Sequence, residues 1–318
     1  MAKLGQTSLD VSRIGLGLAA LGRPAYINVG HAGDLAGDTD VEALRARAHE
    51  VLDAAFAAGV RYFDAARSYG LAEDFLGSWL AERALAPPRV SVGSKWGYTY
   101  TADWRVDVDV HEVKDLTIAT LRRQEEETRS HLGGAIGLYQ IHSATLDSGV
   151  LDDRAVLDEL ARLRAEEGWL TGLSVTGPRQ SETVLRALEV GGFDCVQATW
   201  NLMEPSAGPA LAAAHDAGLG VIVKEAVANG RLTARGDAPV LLEVARGLDV
   251  APDALALACV LAQPWVDVVL SGASTVAMLQ SNLTALGLEV GDDTVERLAP
   301  LAEDPETYWE ERSQLAWT

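Results

Sequence analysis

Eight short apolar runs, each followed by a stretch of helical pattern, set what this 318-residue chain can fold into. The runs lie at 13–18, 60–64, 90–95, 136–142, 170–175, 195–199, 220–224 and 266–270. They are rich in Val, Ile and Leu without strict alternation, the pattern of strands buried on both faces of a parallel sheet. Amphipathic stretches separate them, at 44–58, 71–83, 113–131, 153–167, 182–190, 209–217, 240–247 with 252–261, and 276–286. Gly59, Gly168, Gly191 and Gly218 each close a helical pattern just before a strand, where a C-terminal cap needs positive φ. Eight strand–helix units predict an α/β fold, a (β/α)8 TIM barrel rather than an open sheet. Residues 4–11 predict a small N-terminal β-hairpin plugging the barrel's bottom. No Ser- or Gly-rich linker divides the chain, so residues 1–318 read as a single domain.

Charge narrows the partners. With 26 Lys and Arg against 46 Asp and Glu, the net charge of −20 leaves no electrostatic footprint for nucleic acid or an anionic membrane. Cys195 and Cys259 sit in apolar runs and read as small buried hydrophobes in a reducing compartment. The N-terminus lacks the apolar stretch of a signal peptide, and a cytoplasmic location is expected.

Two motif readings fail on context. Gly15-Leu-Gly17-Leu-Ala-Ala20 matches a dinucleotide fingerprint, but that motif works only where the loop opens directly into a helix. Here Leu21-Gly-Arg-Pro follows, and no helical pattern begins until about Val41. The six histidines include no His-x-His pair and no ligand spacing, so no metal site is expected.

Four polar residues stand at the C-terminal ends of strands 2, 3 and 4, where a barrel gathers catalytic groups. They are Asp64, Tyr69 just beyond it, Lys95 and His142. Singly, each has an ordinary reading: a helix cap, a loop anchor, a solvated strand end, a core histidine. Together they describe a proton donor aimed at a carbonyl oxygen. A charged Lys favours the phenolate of a Tyr and lowers its pKa from about 10, an Asp keeps that Lys charged, and a His orients the carbonyl.

The segment Gly59-Val-Arg-Tyr-Phe-Asp64-Ala-Ala-Arg-Ser-Tyr69-Gly70 resembles the Phe-Asp-Thr-Ala…Tyr-Gly signature of the aldo-keto reductase superfamily, with Ala65 in place of Thr. The resemblance spans nearly the whole chain. It implies Tyr69 as general acid, Lys95 as its partner, Asp64 as the partner of Lys95, and His142 as the residue that orients substrate. It also implies NADP(H), or NAD(H), held without a Rossmann domain. Thr176, followed by Gly177, stands where the family binds the carboxamide, and Gln197 does the same from a segment similar to Gln-x-x-Tyr-Asn. Trp200 replaces the Tyr that stacks on nicotinamide. Ser271, Gly272, Ser274 and Asn282 fall on the family's Pro-Gly-x-Arg…Glu-Asn region, with Ser274 in place of the cation. Arg231 or Arg235 is the candidate replacement, with solvated loop arginines as the plain reading. Glu225 falls where the family has a Ser-Pro-Leu run, and repels phosphate unless Lys224 or Arg231 neutralises it.

The substrate pocket is expected from residues 23–39 (His31 and Asp34 among them), 96–105, 203–205, Tyr308, Trp309 and Trp317. Three functions follow: an NADPH-dependent reductase of an aldehyde or ketone, an NAD(P)-dependent sugar dehydrogenase of the same superfamily, or a nucleotide-binding, redox-sensing regulatory subunit. The complete tetrad argues against the last.

Overall fold

The computed structural model describes residues 1–35 and 37–318, and only Ala36, in the segment expected at the substrate pocket, lies outside the described residues. Eight strands close into a parallel barrel in chain order. They are β1 (Ile14–Gly17), β2 (Tyr62–Asp64), β3 (Ser91–Trp96), β4 (Ile136–Ala144), β5 (Leu170–Val175), β6 (Cys195–Thr199), β7 (Gly220–Lys224) and β8 (Val268–Ser271). The ring closes where β8 pairs with β1, Val269 opposite Ile14 and Ser271 opposite Leu16. Each expected run overlaps its strand, with β3, β4 and β8 running one or two residues further, and the fold is the TIM barrel the sequence predicts.

The helices begin where side chains cap them. Asp40 accepts from the backbone N–H of Glu42 at 2.9 Å, and Asp153 from that of Ala155 at 3.0 Å, satisfying donors that the first helical turn leaves open. Gly168 ends the helix Arg154–Glu167 with φ of +71°, a conformation that a β-carbon would penalise. The helices bury one face against the barrel: Phe75, Leu76 and Trp79 pack on Phe63 and Val92, all fully buried. The helix expected from 113 begins at Ile118 instead, because Glu112–Lys114 pairs with Tyr98–Tyr100 as an antiparallel hairpin beside the mouth.

The bottom of the barrel is plugged as expected. Ala2–Lys3 pairs with Asp10–Val11, and Leu4 and Val11 enter a fully buried cluster with Tyr62, Leu138, Cys195, Ile222 and Val268. Gly5 N–H donates to Asp267 Oδ2 at 3.1 Å and Gln6 N–H to Gly218 O at 3.0 Å, which fastens the plug. At the opposite end, the segment after β1 crosses the mouth. Val29 N–H donates to Asn229 O at 2.9 Å, and Tyr26 and Thr318 exchange backbone hydrogen bonds at 3.1 and 3.2 Å. Among the described residues no helix is long and apolar enough to cross a membrane.

Candidate active site

Strand register brings the predicted residues together. Asp64 stands opposite Gly17 and Gly93, so its side chain enters the barrel at the level of the mouth, with Lys95 one pleat beyond Gly93. The Lys95 ammonium, fully buried, forms an ion pair with Asp64 and donates to Ala65 O at 3.0 Å. The other Asp64 oxygen accepts from Tyr62 OH at 3.1 Å and from the Gln197 amide at 3.0 Å. A charge removed from water this completely persists only because its partner and the surrounding donors replace hydration.

Tyr69 lies over this pair. Lys95 Nζ is 5.1 Å from its ring centroid, and the His142 ring meets it edge-on at 5.5 Å. Burial, and then the Asp64 carboxylate, push the Tyr69 phenol above its ordinary value. The lowering expected from Lys95 is thus outweighed, and Tyr69 stands in its proton-carrying form. Burial, and then the Lys95 and Lys224 ammonium groups, hold His142 well below the ordinary histidine value, so its imidazole is neutral. A neutral donor and a neutral imidazole therefore share one wall.

A cavity of about 520 Å³ runs from this wall to the far side of the mouth. Tyr69, His142, Thr176, Gln197, Glu225, Ser271, Gly272 and Asn282 line it, with Lys95 beneath. A family model described as the aldo/keto reductase family matches residues 13–303. The chain belongs to the aldo/keto reductase family. Family membership makes it an oxidoreductase of carbonyl compounds in a family that uses nicotinamide cofactors.

Solved aldo-keto reductases share its architecture. It is 20% identical to aldo-keto reductase AKR11C1 from Bacillus halodurans (holo form), with a TM-score of 0.73 over 95% of this chain and 96% of that one. It is 26% identical to PA4992 from Pseudomonas aeruginosa, described provisionally as an aldo-keto reductase, with a TM-score of 0.67 over 93% of this chain and 95% of that one. No curated protein matches the chain.

Two residues assigned to the cofactor by resemblance stand away from the cavity wall of this aldo/keto reductase. Cys195, Gln197 and Thr199 face the barrel interior, so the strand's two-residue period turns Val196, Ala198 and then Trp200 outward. Trp200 meets Trp265 edge-on at 5.7 Å and packs on Gly208, in the layer between barrel and helices. Trp200→Ala is expected to cost about 3–5 kcal/mol of stability. Its effect on dinucleotide affinity should stay within a few-fold, read by urea unfolding and a binding titration. Ser274 donates instead to Asp34 Oδ2 at 3.2 Å.

Both candidate replacement cations are already paired. Arg231 binds Glu303 at 3.0 Å and Glu311 at 3.1 Å, and Arg235 binds Asp34 at 2.9 Å. Glu225 is neutralised by a residue that sequence reasoning missed. Arg312, on the helix Pro305–Ser313, forms a two-pronged ion pair with it, Nε to Oε2 at 2.8 Å. Thr199 Oγ1 also donates to Glu225 at 3.2 Å, and Lys224 Nζ lies at 3.7 Å. Burial alone would raise the Glu225 carboxyl, but Arg312 and Lys224 outweigh it and bring the group down to about 2. Lys224 falls to about 8, chiefly through burial.

The expected substrate segments divide. Trp317 lines the cavity and stacks on His111, rings 4.1 Å apart at 9°. Tyr98 lies 5.0 Å from the His142 ring. Trp96 is buried in the main core, and Met203, Tyr308 and Trp309 in a second one. Trp104 donates to Thr39 O at 2.7 Å. Asp34 lines the cavity, whereas His31 is fully buried beside Tyr26.

Proposed function

We propose that this chain reduces an aldehyde or ketone with Tyr69 as general acid and a reduced nicotinamide dinucleotide, NADPH in the first instance, as the second substrate. The observation that carries the reading is Tyr69, kept protonated, between the buried Lys95–Asp64 pair and the neutral His142 on a cavity wall. The far part of the cavity fits a dinucleotide. Gly272 faces open space, and Thr176, Ser271 and Asn282 offer polar groups there. Asn229 Oδ1 is buried with no partner among the described residues, an acceptor suited to a ribose hydroxyl.

When bound, the reduced nicotinamide supplies a hydride to the carbonyl carbon. The side chains do the rest. His142, neutral, donates a hydrogen bond that orients the carbonyl oxygen. Tyr69 transfers its proton to that oxygen, and the Lys95 ammonium, held charged by Asp64, stabilises the phenolate left behind. In the first test, purified protein is titrated with NADPH and NADH by tryptophan quenching and then assayed with 4-nitrobenzaldehyde. Binding and turnover support the reading, and binding of neither cofactor overturns it.

One observation favours a second reading, oxidation of a sugar with NAD⁺. On the cavity wall, Asp34 engages both Arg235 and Ser274, so the residue at the family's cation position and its candidate replacement both face a carboxylate, which disfavours a 2′-phosphate there. Under that reading NADH binds at least as tightly as NADPH. Asp34→Ala, which frees Arg235, should then tighten NADPH about tenfold with little change for NADH. An unchanged ratio of the two dissociation constants would set Asp34 aside as a discriminator.

A further inference from the structure

We propose that Arg23 is a positioning residue of the reaction, its buried guanidinium fixing the Ser68–Tyr69 backbone and lending positive charge to the face of the Tyr69 phenol. The inference rests on Tyr69 being the general acid.

Arg23 follows β1, stands before Pro24 and begins the segment 23–39 expected at the substrate pocket, whose cavity it lines. In the fold it is 2% exposed. Its backbone is locked to the segment that carries Tyr69. Leu71 N–H donates to Gly22 O at 2.7 Å, and a β-carbon on Gly22 would come within 2.2 Å of Tyr69 O. Arg23 Nη1 donates to Ser68 O and to Glu112 Oε2, both at 3.0 Å. The guanidinium carbon lies 5.2 Å from the Tyr69 ring centroid, 5.1 Å from that of Tyr26 and 4.7 Å from that of Trp317. Arg23 Nε is buried with no partner among the described residues.

An apolar side chain would fill this aromatic box without the desolvation cost of a cation, so packing alone gives no reason for an arginine. The charge balance around Tyr69 does. Asp64 from β2, Glu112 from the hairpin and Glu225 after β7 all disfavour ionisation of the phenol. The phenols of Tyr26 and Tyr62 also face it. Lys95 of β3 lies below, already paired to Asp64, and neutral His142 of β4 stands at the edge. Arg23 favours the phenolate, its guanidinium carbon 5.2 Å from the ring centroid and Lys95 Nζ 5.1 Å from it.

In reduction, a hydride carries two electrons to the carbonyl carbon. The Tyr69 O–H bond breaks, a new O–H bond forms on the substrate, and phenolate remains. Oxidation of the alcohol runs the same transfer backwards and starts from phenolate. A cation beside the ring lowers the cost of that charge in both directions.

The test compares wild type, Arg23→Gln and Arg23→Lys in 4-nitrobenzaldehyde reduction and 4-nitrobenzyl alcohol oxidation across pH, with whichever cofactor the wild type binds. Removing a cation raises the phenol's pKa. The rising alkaline limb of oxidation should therefore move up by about one pH unit in Arg23→Gln, and kcat/KM for reduction should fall about tenfold. Cofactor affinity should stay within a few-fold, and Arg23→Lys should recover most of the shift. An equal loss at every pH with the limb in place, or no change at all, overturns the proposal. Should the wild type turn over neither probe, the functional reading fails separately. The Arg23–Tyr69 contact is then read from a double-mutant cycle of Arg23→Gln and Tyr69→Leu in urea unfolding. Non-additive midpoints support the contact, and additive ones overturn it.

Discussion

Tyr69→Phe is expected to lower carbonyl reduction by about 10²–10⁴-fold while leaving the dissociation constant of the dinucleotide within a few-fold. The substitution removes one oxygen and keeps the ring that meets Arg23 on its face and His142 at its edge. The cavity keeps its shape, and the loss falls on kcat. Single-turnover reduction of 4-nitrobenzaldehyde, beside a fluorescence titration of the same variant, separates the two quantities. Near wild-type turnover would remove Tyr69 from the chemistry. Equal losses in turnover and binding would make it a wall residue.

Glu225→Gln is expected to destabilise the protein by about 3 kcal/mol at neutral pH, by leaving the Arg312 guanidinium without its carboxylate. The figure stands at the low end for a broken buried pair because the Arg312 side chain is 23% exposed and regains some hydration. The pH dependence has a definite sign. The folded-state carboxyl is depressed from 4.5 to about 2, so its stabilisation is complete above about pH 4.5. It is lost as pH falls through about 2. Urea midpoints of wild type and variant should therefore differ at pH 7 and converge between about pH 4.5 and 2. A gap that persists unchanged to pH 2 would mean that Glu225 acts through shape rather than charge.

The barrel was legible because its strands are short apolar runs set off by glycines and caps, as at Leu170–Val175, Cys195–Thr199 and Gly220–Lys224. Asp64, Lys95 and His142 were legible for a related reason: a polar residue that ends such a run has the mouth as its place. Trp200 shows a signal present but unused. Three positions from inward-facing Gln197, strand alternation already turns it outward.

Arg312, and the burial and partners of Arg23, were not legible. Glu225 and Arg312 stand 87 positions apart, and nothing local tells an arginine on an acidic C-terminal helix that its partner lies after β7. Arg23 carries no periodic pattern. Its burial follows from Glu112 of the hairpin, 89 positions away, and from Trp317 at the end of the chain. Val113 was read as helical because the short hairpin around it is held by backbone pairing with Tyr98–Tyr100, which leaves no periodicity in three residues.

The plugged floor has a consequence for traffic. Leu4, Val11, Leu138, Ile222 and Val268, with Tyr62 and Cys195 among them, fill the barrel below Asp64 and Lys95. Among the described residues the cavity opens at the mouth, beside the segment after β1 and the C-terminal residues, and molecules exchange there. In a blind chamber, whatever reaches deepest must arrive first and leave last.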